Sequence, residues 1–293
     1  MPIKILLDTD IGTDIDDAVC LAYLLANPEC ELLGITTVTS EAEKRAKMAS
    51  VLCKIAGKDI PIFPGSENPL LIPQKQTKAQ QAFAVKRWDH QKSFPKGEAI
   101  PFLRNTIRKY PGEIILLTIG PLTNVGLLFS IDPQIPSLLN GIYSMCGNYF
   151  RKNKKMPAIE WNASGDYHAS AIVYGSKVKL HRSFGLDVTS KVVMKKKKFK
   201  KYFSGHDLFE PILDFVKPWF AQWSGVMFHD PLAAAAIFNK NICTYEKGTV
   251  KIEIQKKNSQ GLTKWKAKPK GKHEIAVKVD PEKFFESYFS VFK

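Results

Sequence analysis

The chain reads as an α/β protein with an open, mainly parallel sheet, helices on both faces and a small β extension near the C-terminus. Three observations predict it. Residues 3–7 form an apolar run, as in a strand buried on both faces of a parallel sheet. The segments up to residue 63 alternate in the order β-α-β-α-β, which right-handed crossovers fold into a parallel sheet with helices on both faces. Further strand patterns then recur with helical patterns between them.

Taken in order, residues 16–26 carry helical spacing, with Val19, Leu21, Ala22, Leu24 and Leu25 apolar. Residues 31–38 read as the second strand, 41–56 as a helix closed by Gly57, and 60–63 as a short third strand. Residues 66–98 are polar without a period and are expected to form a mobile excursion. Residues 100–108 predict a helix, and 113–119 a strand running into Gly120-Pro121. Strands are expected at 142–146 and 178–180, with a helix over 166–174 between them. Residues 211–227 and 231–238 read as helices. Residues 250–255, 261–266 and 274–279 alternate like strands, and 281–292 form a last helix. Without repeats or a linker, residues 1–293 read as one domain.

Composition is that of a globular chain, 44% hydrophobic and 24% charged. No stretch is apolar enough to span a bilayer, and the N-terminus lacks the pattern of a signal peptide. The cysteines, Cys20, Cys30, Cys53, Cys146 and Cys243, are scattered and never spaced C-x-x-C. That suits reduced thiols in a cytoplasmic protein and argues against a zinc site. The net charge is +15, with lysines clustered over 191–201 and 264–272. A nucleic-acid surface usually mixes arginine with stacking aromatics. These runs are nearly all lysine and read as solvated surface, with no membrane or nucleic-acid partner expected.

The informative segment is Asp8-Thr9-Asp10-Ile11-Gly12-Thr13-Asp14-Ile15-Asp16-Asp17-Ala18, with five carboxylates within ten residues. It follows the first strand, at the sheet edge where α/β proteins bind ligands. Like charges at about 4 Å repel by roughly 4 kcal/mol at an effective dielectric near 20. Such a cluster must spread into water, take up protons or hold a cation, and its hard oxygens suit Ca²⁺ or Mg²⁺. Helix capping accounts for one or two aspartates at the start of 16–26, but not for all five.

A strand ending in Asp8-Thr9-Asp10-Ile11-Gly12 and followed by Asp16-Asp17-Ala18 resembles the inosine–uridine-preferring nucleoside hydrolases. It resembles the bacterial branch with D-T-D-I-G-x-D-I-D-D, two residues longer than the shortest form between glycine and aspartate pair. The resemblance extends through three further blocks: Ile119-Gly120-Pro121-Leu122-Thr123-Asn124; Met145-Cys146-Gly147 with Asn153, Glu160-Trp161-Asn162 and Asp166; and His229-Asp230-Pro231. Taken alone, the last of these is a complete helix start, with Asp230 as cap and Pro231 at the first position. The resemblance implies a Rossmann-like fold, a nucleoside substrate and a homo-oligomer, dimer or tetramer. It implies Ca²⁺ held by Asp10, Asp17, Asp230 and the Ile119 carbonyl, and ribose hydroxyls held by Asp16, Asn153, Glu160 and Asn162, with Met145 also at the substrate. In some members the residue matching His229 lies at the nucleobase.

The chain departs from the family in the region after the third strand. Arg87-Trp88-Asp89-His90-Gln91 lacks a His-Gly pair common there, and Glu41 stands where some members have Asn. Cys146 replaces a common glycine.

Cleaving an N-glycosidic bond through an oxocarbenium-like transition state needs an activated water, ribose anchors and help for the departing base. Asp10 is the candidate base and His229 the candidate acid, an imidazole with an ordinary pKa near 6.5. Phe215, Trp219, Trp223 and Met227 recur at four-residue intervals, as in a core stripe. Trp219 and Trp223 are close enough to His229 in sequence to wall the nucleobase. A phosphatase of the haloacid-dehalogenase type also begins D-x-D, but Gly12 sits where it needs Thr or Val. A non-catalytic basic nucleic-acid binder on a hydrolase fold is the other alternative, and Asp10, Asp17 and Asp230 argue against it.

Overall fold

The computed structural model describes residues 1–293. In chain order the first strands are β1 (Ile3–Thr9), β2 (Cys30–Thr37), β3 (Ile62–Pro64), β4 (Ile115–Thr118), β5 (Gly141–Met145) and β6 (His181–Phe184). A short pair follows, β7 (Val193–Lys195) and β8 (Gly225–Met227), then β9 (Cys243–Ile252), β10 (Thr263–Ala267) and β11 (His273–Val279).

One nine-stranded sheet runs β10-β9-β11-β6-β5-β4-β1-β2-β3. Pairing is parallel from β3 across to β11, and only β9 runs against its neighbours. The C-terminal strands therefore widen the main sheet.

The apolar run of β1 alternates between two cores, Ile5 and Leu7 on one face and Leu6 on the other. The first face carries helices Asp16–Ala26, Ala42–Ile55, His229–Phe238 and Pro281–Ser290. The second carries Ala99–Lys109, Thr123–Ile131 and Tyr167–Gly175. Buried Ala233, Ala234, Ala235 and Ala236 let His229–Phe238 lie close against Asp16–Ala26, which holds its first turn beside the acidic loop. The chain places β2 and β3 on one side of β1, then crosses back to add β4 and β5 on the other. The strand order reverses between β1 and β4, and a crevice opens there at the strands' C-terminal ends.

Several elements differ from expectation. The strand expected at 178–180 lies at His181–Phe184. Its polarity hid it, because its partners come from distant segments. Ser183 Oγ lies 2.9 Å from Tyr174 Oη, and Arg182 Nε donates to Glu274 at 3.0 Å. The helix expected over 211–227 breaks into Glu210–Phe215 and Lys217–Gln222, followed by strand β8. Pro218, lacking an N–H, sits where the second piece starts afresh. The segment 66–98 is packed in part: its 3₁₀ turn Gln80–Arg87 buries Gln81, Ala84 and Val85. The lysine run forms helix Lys196–Tyr202, anchored by buried Phe199, which stacks on Phe203 with ring centroids 4.0 Å apart.

Candidate active site

At the crevice between β1 and β4 lies a cavity of about 370 Å³. The end of β1 brings Asp10 and, through the loop and first helical turn, Asp14, Asp16 and Asp17. The end of β4 brings Ile119, β5 brings Met145, and the first turn of His229–Phe238 brings His229 and Asp230. Glu160 and Asn162 close another side, at the start of helix Trp161–Gly165.

The carboxylates of Asp16, Asp17 and Asp230 each place an oxygen within 4.8 Å of the others, and all three residues are buried. Asp16 Oδ2 accepts the Asp230 N–H at 3.1 Å, and Asp17 Oδ1 accepts the Thr9 hydroxyl at 2.5 Å. Two such charges at that separation repel by about 3.5 kcal/mol at an effective dielectric near 20. Burial first, then the neighbouring carboxylates, drives all three pKa values well above the usual carboxylate range. Burial raises Asp10 to about 6, with the Arg45 guanidinium pulling the other way.

Asp8 stands apart from the other four aspartates of the cluster. Its Oδ1 accepts the Thr36 hydroxyl at 2.5 Å and the Asn124 amide at 2.7 Å, so it ties β1 to β2 and to the turn after β4.

Glu160 caps its helix. Its carboxylate accepts N–H groups from Asn162 at 2.6 Å, Ala163 at 2.9 Å and Gly147 at 2.9 Å. Asn162 Nδ2 donates to the carbonyls of Ile119 at 3.1 Å and Met145 at 3.0 Å, clamping the ends of β4 and β5 together. Trp219 lines the cavity with its indole N–H held by the Gly225 carbonyl at 2.9 Å. Trp223 stacks on Trp219 but is 57% exposed and outside the lining. Asn153 is also exposed and outside the lining, its side chain accepting the Lys155 N–H.

His229 lines the cavity with Nδ1 2.7 Å from Thr189 Oγ1. Its pKa is not the ordinary one expected: desolvation in the cavity wall pushes the imidazole down to about 4.

The sequence reading gave no role to several lining residues, among them Asp14, Gln76, Met156, Trp161 and Leu186. Gln76 comes from the segment without a period, where nothing marked it. The departures from the family pattern lie outside the lining: Glu41 accepts the Ala79 N–H at 2.7 Å, and His90 Nδ1 lies beside the Trp88 carbonyl. Arg45 was missed as well, although a signal existed. It falls in line with Ala42, Ala46, Ala49 and Cys53 on the buried face of its helix.

Residues 5–286 match the family model of inosine-uridine preferring nucleoside hydrolases. The chain belongs to this family. The hydrolase is similar to Uridine nucleosidase 1 of Arabidopsis thaliana, 30% identical over 299 residues, covering 89% of this chain and 83% of that protein. It is also similar to the non-specific ribonucleoside hydrolase RihC of Escherichia coli (strain SE11), 29% identical over 275 residues and covering 90% and 88%. Among solved structures, an inosine-guanosine nucleoside hydrolase matches with a TM-score of 0.87 at 21% identity, covering 100% of this chain and 99% of that one. A plant nucleoside hydrolase matches with a TM-score of 0.85 at 22% identity, covering 100% and 99%. These two likenesses bear on the fold. Family membership makes the hydrolase an N-ribohydrolase, acting on the N-glycosidic bond of ribonucleosides, and removes the phosphatase reading of Asp8-Thr9-Asp10. No helix is long and apolar enough to cross a membrane.

Proposed function

We propose that this hydrolase is calcium-dependent and cleaves ribonucleosides by direct attack of water, with Asp10 as the base. The observation that carries the reading is the convergence of Asp16, Asp17 and Asp230 in one cavity beside Asp10. The donor set fits a hard divalent cation, because it is all carboxylate oxygen, it is buried, and its mutual repulsion asks for positive charge. Asp10, Asp17, Asp230 and the Ile119 carbonyl would hold the ion. The close triad includes Asp16 in place of Asp10, and Asp16 would serve ribose with the oxygen that the Asp230 N–H leaves free. When bound, the ion supplies Lewis-acid activation of water.

The chain's own residues do the rest. Asp10, with a pKa raised toward neutrality, receives a proton from the attacking water. Asp16, Glu160 and Asn162 face the ribose hydroxyls. The three N–H groups on Glu160 fix its carboxylate as an acceptor. Met145 and Trp219 give the base an apolar wall. His229 meets the leaving base as a neutral imidazole and helps it by hydrogen bonding, since burial disfavours its charged form. Asn153 and Trp223 would reach the substrate only if the rim closes over it. The same reading makes the domain a cytoplasmic homo-oligomer.

The test is a panel of uridine, cytidine, inosine, adenosine and guanosine, read by reducing-sugar release from protein stripped with chelator and reloaded with one metal at a time. Ribose release that returns with calcium is expected. Undiminished turnover after stripping, or recovery with zinc alone, would remove the calcium reading.

A further inference from the structure

The acidic loop presents Asp10 and Asp14 to the cavity, while its carbonyls and the Thr13 hydroxyl meet donors on the other side. Asp10, Thr13 and Asp14 line the cavity. On the opposite side, four consecutive carbonyls each meet a buried donor. Arg45 Nη1 donates to the carbonyls of Asp10 and of Ile11, the latter at 3.1 Å. The Gln81 backbone N–H donates to the Gly12 carbonyl at 3.0 Å, and Gln81 Nε2 to the Thr13 carbonyl at 3.2 Å. Both side chains are 0% exposed, and neither lines the cavity.

Arg45 reaches further than its neighbours. Nη1 also donates to Thr13 Oγ1 at 3.2 Å, and Nε donates to the Ser40 carbonyl at 2.9 Å. One rigid guanidinium thus joins the loop after β2 to the loop after β1. The turn at Gly12, with φ at +120°, is pressed between the Arg45 helix and the start of the Gln81 turn: a Cβ there would meet Met48 Sδ at 3.0 Å and Ala79 Cβ at 3.1 Å. A longer loop brings more backbone carbonyls, and buried ones must find donors. A solvated loop of aspartates would fan its charges into water. This one is fixed from behind, so its carboxylates stay on the cavity side. No acid lies within ion-pair distance of Arg45, so its charge acts on the site through the loop and through space.

We propose that Arg45 and Gln81 are positioning residues. They form a clamp on the carbonyl side of the acidic loop that sets Asp10 and the neighbouring carboxylates for the ion and the water. The inference rests on the hydrolase reading above, and neither residue touches substrate. Lysine cannot replace Arg45, because one ammonium nitrogen cannot serve Ser40 and the acidic loop together in a planar fork.

The experiment compares wild type with Arg45→Lys, which keeps the charge, and Gln81→Met, which keeps the length and removes one donor. Calcium chloride is titrated calorimetrically into stripped protein, and kcat and KM for inosine and uridine are measured well below each variant's melting temperature. Misplacing a reacting group by about 1 Å can cost on the order of a hundredfold. Arg45→Lys is therefore expected to lower kcat by about tenfold or more and to weaken calcium binding by about tenfold, with KM within about threefold. Gln81→Met moves both in the same direction by a smaller factor, and it decides the matter should Arg45→Lys fail to fold. A lowered melting temperature with kcat and calcium affinity within about twofold of wild type would overturn the clamp, as would a rise in KM alone. Wild-type protein that hydrolyses no nucleoside would instead sink the hydrolase reading, leaving the calcium titrations to judge the clamp.

Discussion

Asp10 sits between a buried guanidinium and the acidic cavity; burial raises its proton affinity and the Arg45 guanidinium lowers it. Asn at this position keeps the shape but is not basic. Asp10→Asn is expected to fold normally and lose turnover by about 10²–10⁴, the usual worth of general-base help. Steady-state rates on the preferred nucleoside check this, and a rate within about tenfold of wild type, near 1.4 kcal/mol, withdraws the role. His229 presents a different problem. Its partner Thr189 fixes the ring, and desolvation keeps it neutral around pH 7. His229→Ala should slow inosine and uridine strongly while barely changing p-nitrophenyl riboside, whose leaving group departs without a proton. Equal losses on both substrates would reduce His229 to a shaping residue.

The turns that end strands carry as much of the site as the aspartates do. Gly120, after β4, has Asp10 at its back: a Cβ there would lie 2.9 Å from Asp10 N, 2.9 Å from Asp10 Oδ1 and 2.9 Å from Val38 Cγ1. The Asp10 backbone on one side and Val38 on the other leave little room to yield. Gly120→Ala should cost about 1–3 kcal/mol of stability by overcrowding, and it should depress kcat by moving Asp10. Gly57 is a useful contrast, since its φ of +63° is strained for alanine but nothing lies near it. Gly57→Ala should cost about 1 kcal/mol in a melt and leave kcat unchanged. This pattern explains what could be read in advance. The acidic loop, the 119–124 turn and His229-Asp230-Pro231 are local devices whose spacing sits in consecutive letters, so their convergence was legible. β6 was not, because its His181, Arg182 and Ser183 look like loop residues until Ser144, Glu274 and Tyr174 are folded beside them. The stripe Phe215, Trp219, Trp223, Met227 was misread as one helix. The strand that ends it pairs with Val193–Lys195, about thirty residues upstream, and no local period reports that pairing.

At the scale of the molecule, the buried carboxylates make stability depend on protons and on the ion together. Burial raises Asp8 and Asp14 to about 7 and Asp10 to about 6, with Asp16, Asp17 and Asp230 higher than usual as well. A folded-state pKa above the unfolded value contributes stability that is full at low pH and fades as pH rises through the folded value. Ion-free protein should therefore melt progressively lower between about pH 6.5 and 8, where the opposing gain from the buried histidines fades out as pH passes their unfolded value near 6.5. Calcium should raise the melting temperature most at the alkaline end and flatten the slope. Scanning calorimetry across that window, with and without calcium, checks both. An ion-free melting temperature that climbs with pH would contradict this account of the cavity.

The hydrogen bond from the Asp230 N–H to Asp16 joins residues 214 apart in the chain. On the ribosome, at about 5–20 residues per second, the first aspartates emerge roughly ten to forty seconds before their last companion exists. Through that interval the nascent segment has no complete ion pocket. It travels as a short, strongly anionic stretch whose own repulsion keeps it hydrated, and the ion can be captured in full only once nearly the whole message has been read.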